Sequence, residues 1–185
     1  VISYGFTDLV IENGELVEYD RFCHAEQKAN QPFVTTFPDT ATQAIQPRSA
    51  VVEVYQENGA WKVRRPATPT LIGIDGDPNA PLSMNLNDPL INDADHDGKP
   101  GVTVFVTLFG LINGEIYLAR REVFQNEFTL YSDGSLRGAV IDDSEQLVIG
   151  ASLDILNAPN NPAQRDEPGL NPIILIPISD DIDTC

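Results

Sequence analysis

Val102-Thr-Val-Phe-Val-Thr-Leu-Phe-Gly-Leu-Ile112, then Asn113-Gly114, then Glu115-Ile-Tyr-Leu-Ala-Arg120, is the stretch whose reading decides the fold. β-Branched and aromatic residues fill both arms, and Asn-Gly offers the two positive-φ residues that a type I′ turn requires, so the stretch predicts a β-hairpin. On the first arm Val102, Val104, Val106 and Leu108 share one face, and Thr103, Phe105, Thr107 and Phe109 the other. That alternation is the period of a strand, here with both faces at least partly covered.

The same device recurs along the chain. Ser3–Ile11 and Glu15–Asp20 flank Asn13-Gly14; Val51–Tyr55 and Ala60–Val63 flank Asn58-Gly59; Glu127–Tyr131 and Ser135–Ile141 flank Asp133-Gly134. Four such turns predict an all-β chain of about nine to eleven antiparallel strands, closed or nearly closed into an up-and-down, lipocalin-like barrel, with a sandwich as the alternative. From Val102 to Leu153 five strands are expected in a meander, so that neighbours in sequence are neighbours in the sheet. Thr40–Gln46, opened by Asp39 as N-cap and closed by Pro47, is the one helix-like stretch. Ile173–Ile178 reads as a last strand that Pro177 confines to an edge or a strand end. Asp180-Asp181-Ile182-Asp183 reads as a solvated tail. A chain of 185 residues is expected to form a single domain spanning 1–185.

Residues 66–101 carry many Pro, Asn, Asp and Gly residues and predict one long ordered loop, a feature uncommon in compact domains unless it is functional or held by something. Its end is Asn92-Asp93-Ala94-Asp95-His96-Asp97-Gly98-Lys99-Pro100-Gly101. A hard cation such as Ca²⁺ takes about six to eight oxygen ligands, so side chains at the first, third and fifth positions of a loop must converge, and a glycine at the sixth permits the sharp turn. Asp93, Asp95, Asp97 and Gly98 fit those positions, and the Lys99 carbonyl falls at the seventh. The twelfth position is Val104, where an EF-hand needs a bidentate glutamate, and the flanks are Pro89 and a strand rather than helices. The ten residues resemble instead the shorter D-x-D-x-D-G calcium loops of thrombospondin type 3 repeats and dockerins. That resemblance implies that the missing ligands come from elsewhere, with Asp88, Asp75 and Asp77 the nearest carboxylates. Bound calcium would hold the loop where little apolar surface can. The alternative is a solvated acidic turn.

A net charge of −17 repels polyanions and argues against a nucleic-acid partner. No run reaches the ~18 apolar residues of a membrane span, so no transmembrane segment is expected. Cys23 and Cys185 have no zinc-cluster spacing, and one disulfide is the natural reading. With the acidic balance and the calcium loop this predicts an exported protein: extracellular, at the cell surface or periplasmic. Asn92–Val104 together with Asn113–Arg121 also resembles uncharacterised exported β-rich proteins of Gram-negative bacteria, including myxobacteria. That likeness implies export and a barrel-like fold, and brings no activity.

Catalytic signatures are not evident. The chain has two histidines, His24 and His96, and no G-x-S-x-G motif; Asp142-Asp143 reads as a turn between strands. Three functions remain in view. The first is a non-catalytic exported module whose acidic loop binds calcium for stability or for assembly with copies of itself or surface components. The second is a carrier of a small apolar ligand inside the barrel, and the third a carboxylate-dependent hydrolase.

Overall fold

The computed structural model describes residues 1–27, 33–159, 164–179 and 185. Its strands are β1 (Ile2–Glu12), β2 (Glu15–Glu26), β3 (Phe33–Thr36), β4 (Arg48–Val51), β5 (Glu53–Glu57), β6 (Ala60–Ile72), β7 (Val102–Leu108), β8 (Ile112–Leu130), β9 (Leu136–Asp142), β10 (Glu145–Ala151) and β11 (Pro172–Leu175). One short helix, α1 (Asp39–Gln43), follows β3. All strand pairings are antiparallel, in a small sheet of order β1-β2-β4 and a larger sheet curled as a half-barrel. The all-β expectation therefore holds, and among the described strands β11 pairs with β9 alone, at the edge that Pro177 implied. The acidic tail Asp180–Asp183 lies outside the described residues.

The larger sheet is organised around β8 rather than around a meander. Register shows β7 against residues 112–118 and β6 against 120–129 on one edge of β8, with β10 against 116–121 and β9 against 124–130 on the other. Thus β6 and β7 run end to end along one edge, and β9 and β10 end to end along the other. The loop between Ile72 and Val102 is an excursion from the joint between β6 and β7. Asp142-Asp143, expected as a reversal, is instead a break in a continuing edge: the Asp143 N–H donates to the Val123 carbonyl at 3.0 Å, and the Val123 N–H to Ser144 Oγ at 3.1 Å.

Three of the four expected turns are where the sequence placed them. Asn13-Gly14 and Asn58-Gly59 have φ of 53°/87° and 51°/80°, and Asp133-Gly134 closes the β8–β9 hairpin. Asn113-Gly114 does not turn. The reversal lies at Phe109-Gly110, with φ of 51° and 69°, and Thr107 and Val106 pair with Asn113 and Gly114 inside the ladder. Gly114 is a glycine because of close approach: a Cβ there would lie 2.5 Å from Leu156 Cδ1 and 3.0 Å from Ser152 Oγ. At α1 the cap is Pro38, and Asp39 lies in the first turn, where its carboxylate meets His24 Nδ1 at 2.7 Å.

Alternation along β8 separates two faces. The even face carries Ile116 and Leu118, packed with Val102, Val104, Val106, Ile72 and Ala41 of α1, and at its far end Phe128, packed with Val52, Val63 and Leu136. Between these apolar clusters sits a buried polar layer, where Arg48 and Glu18 of the small sheet meet Glu122 and Arg65 of the large one. The odd face carries Glu115, Tyr117 and Ala119. There the long loop folds over the sheet, placing Ile74 and Leu82 on Ala119 and Leu147, with Leu71, Ile91 and Ile149 alongside. The loop thus builds a small apolar core against β8 and β10.

Candidate metal centre

The acidic loop is closed by backbone before any ion is considered. Gly101 N–H donates to the Asn92 carbonyl at 2.6 Å, Ala94 N–H donates to the Gly101 carbonyl at 3.0 Å, and the Ile74–Ile91 bridge clamps the neck. Within this ring the chain winds tightly. Asp93 accepts the Asp97 and Gly98 N–H groups at 3.1 and 2.9 Å, Asp97 accepts the Lys99 N–H at 2.9 Å, and His96 and Gly98 adopt positive φ. Asp95 reaches the other way, to the Thr103 N–H at 2.9 Å, which anchors the loop to β7.

Winding brings Asp93, Asp95 and Asp97 together, with one carboxylate oxygen of each within 4.8 Å of the others. Three acids this close repel one another. Burial first, and then the charges of Asp97 and Asp93, push the Asp95 carboxyl above its ordinary value, against the pull of the Thr103 N–H. Asp97 shifts the other way: desolvation would raise it, but the Thr103 hydroxyl, the Lys99 N–H and the Lys99 ammonium bring it below the usual range. Among the described residues, the buried oxygens Asp95 Oδ1, Asn92 Oδ1 and Thr103 Oγ1 have no hydrogen-bond partner. A buried acceptor without a donor costs about 1–3 kcal/mol, and a cation is the partner that acceptors alone can satisfy. The donor set is all oxygen and mostly carboxylate, which fits a hard divalent ion.

The further carboxylates named from sequence are engaged elsewhere. Asp88 accepts Ser83 Oγ–H at 2.5 Å and the Leu90 N–H at 3.0 Å, and these bonds lower its pKa. Asp77 accepts from the Asn79 N–H at 2.9 Å, and Asp75 from Asn92 Nδ2 at 2.8 Å. Asp75 is therefore one residue removed from the triad through Asn92, while Asp77 and Asp88 shape their own turns. The Lys99 side chain lies 3.5 Å from Asp97 Oδ2 and 2.7 Å from Glu115 Oε2. Cys23 and Cys185 are joined in a disulfide, with Cα atoms 5.2 Å apart.

Sequence reasoning missed the polar layer between the sheets. Glu18 and Arg65 are each 1% exposed, with Arg65 Nε 3.3 Å from Glu18 Oε1 and 3.4 Å from Asp20 Oδ2. Arg48 Nη1 lies 3.7 Å from Glu122 Oε2, and its guanidinium is sandwiched between the rings of Phe22 and Phe124 at 4.5 and 4.8 Å. A signal was present: Arg65 is in phase with Val63, and Glu122 and Asn126 with Phe128, so period 2 alone places these polar residues inward.

No family model matches the chain, and neither a curated protein nor a solved structure matches it. Among the described residues, no helix is long and apolar enough to cross a membrane.

Proposed function

We propose that this protein is an exported, non-catalytic β-domain whose acidic loop binds one calcium ion, and that the ion locks the loop between β6 and β7 onto the sheet. The observation that carries the reading is the Asp95 carboxylate. One of its oxygens anchors the loop to the Thr103 N–H, and the other is buried without a partner beside Asp93 and Asp97. A disulfide and a net charge of −17 are consistent with an oxidising, calcium-containing compartment. The buried acids Glu18 and Glu122 face guanidinium groups inside the sheet packing, which supports a structural rather than a catalytic role for them. The same side chains occupy the space between the sheets, so the carrier reading gains no support there.

Thermal melting with millimolar calcium against chelator, at fixed ionic strength, tests the reading. An ion that binds only the native state adds about 2.7 kcal/mol at a hundredfold excess over Kd. Asp95→Ala should remove that gain. Magnesium or sodium reproducing the calcium effect, or a chelator without effect on the wild type, would reduce the loop to an acidic turn.

A second role, assembly by strand addition, is favoured by β1. Among the described strands it pairs with β2 alone, and it exposes Leu9, Val10 and Ile11. Light scattering across a concentration series, with and without calcium, tests it; a monomer throughout would remove it.

A further inference from the structure

Three aspartates and a backbone carbonyl leave a calcium shell short of the six to eight oxygens it takes. The odd face of the β7–β8 ladder, over which the loop folds, carries two more oxygen groups. Thr103 pairs across the ladder with Tyr117, and Phe105 with Glu115. Thr103 is 3% exposed, and its buried Oγ1 has no hydrogen-bond partner among the described residues. Its N–H holds Asp95, and its hydroxyl faces the Asp97 carboxylate short of full hydrogen-bond geometry. Glu115 stands one ammonium away from the triad: Lys99 Nζ is 2.7 Å from Glu115 Oε2 and 3.5 Å from Asp97 Oδ2, and 5.7 Å from the centre of the Tyr117 ring. Glu115 Oε2 also accepts the Tyr117 hydroxyl at 3.2 Å, and Glu115 lines an open groove with Phe105, Thr107 and Ser152, which leaves its side chain room to turn.

Resting on the calcium reading above, we propose that Thr103 Oγ1 and the Glu115 carboxylate complete the ion's shell, and that Lys99 is an internal counter-ion which calcium displaces from between Asp97 and Glu115. Glu115 then does from β8 what a glutamate at the twelfth loop position does in an EF-hand, where this chain has Val104. The ammonium offsets part of the acidic charge while no ion is bound, so the loop stays closed, and it lowers affinity by competing for the same oxygens. The site is thereby tuned to a compartment where calcium is abundant.

Calorimetric titration of the whole chain with calcium chloride decides this, using wild type, Asp95→Ala, Thr103→Val, Thr103→Ser, Glu115→Gln and Lys99→Met, each checked for fold by circular dichroism. Wild type should take up one ion and Asp95→Ala none. Thr103→Val and Glu115→Gln should each weaken binding by about tenfold or more, with Thr103→Ser close to wild type. Lys99→Met should bind several-fold tighter, and Lys99→Met combined with Glu115→Gln should lose that gain. If wild type takes up no calcium, the calcium reading itself fails. If wild type binds through Asp95 while Thr103→Val and Glu115→Gln bind as it does, or if Lys99→Met binds no tighter, calcium stands and this inference is overturned. Should the valine variant misfold, Glu115→Gln and Lys99→Met still decide it.

Discussion

Gly73 and Gly101 meet at the neck of the long loop. A Cβ on Gly73 would lie 2.7 Å from both the Gly101 Cα and the Leu118 carbonyl oxygen, and a Cβ on Gly101 would strike that same oxygen and come within 2.8 Å of Ile149 Cδ1. The two glycines let the chain leave the β6–β7 edge of the sheet and rejoin it nearly where it left. Gly101 and Gly98 have almost the same φ, 82° and 84°, but only Gly101 is crowded. Gly98→Ala should therefore cost about 1–2 kcal/mol for the left-handed backbone alone, whereas Gly101→Ala should add an overpacking cost of about 1–3 kcal/mol. Urea denaturation of both variants checks this; equal losses would mean that the neck yields.

The β7–β8 reversal offers a gain in stability. Phe109 holds a φ of 51° while 72% exposed, a conformation that costs an aromatic residue more than asparagine. Phe109→Asn should stabilise the chain by about 1 kcal/mol. Asn13→Ala, at a true type I′ turn, should destabilise it by a similar amount. A melt of Phe109→Asn tests the position of the β7–β8 turn, with Asn13→Ala as the reference for a residue known to turn; no gain from the asparagine would argue against the reversal at Phe109-Gly110.

Local signals in the sequence were legible where local physics decides. Asn13-Gly14 and Asn58-Gly59 turn because nothing else competes for them, and the Asp93–Gly98 spacing converges because the winding is set within six residues. Asn113-Gly114 carries the same signal and loses to tertiary packing: the 3₁₀ turn at Asp154–Leu156 lies on Gly114, and the preference of the dipeptide is smaller than the ladder and packing it would forfeit. The collinear joints along β8 were not legible, because two strands on one edge look in sequence like successive members of a meander. Glu115 escaped notice for a related reason. Its place beside Lys99 depends on the pairing of β7 with β8, not on its distance along the chain.

The disulfide links residues 162 positions apart and so restricts nearly the whole unfolded chain. In the chain-entropy account a closure of this length stabilises by about 5 kcal/mol. Cys185→Ser should lower the denaturation midpoint accordingly, and reductant should lower the wild type to the same value. If reductant and mutation each leave the midpoint unchanged, the bridge is not formed in the folded protein.

Glu18 provides a pH signature that is separated from the calcium site by its own substitution. Burial, followed by the adjacent charge of Asp20, pushes its carboxyl up to about 8, against the opposing pull of Arg65 and Arg48. The folded chain therefore keeps a proton that the unfolded chain releases near the ordinary carboxyl value of about 4.3. Between those values the native state binds more protons, so this group's contribution is fully present below the unfolded pKa and is lost as pH rises towards 8. Glu18→Gln keeps the shape and the neutral form at every pH. Melting with chelator present, from pH 5.5 to 8.5, should show wild-type stability falling with pH, and Glu18→Gln should flatten that slope and be the more stable of the two at pH 8.5. The reverse order at pH 8.5 would mean that Glu18 is ionised against Arg65, and that the layer between the sheets is a charged ion pair rather than one held by a retained proton.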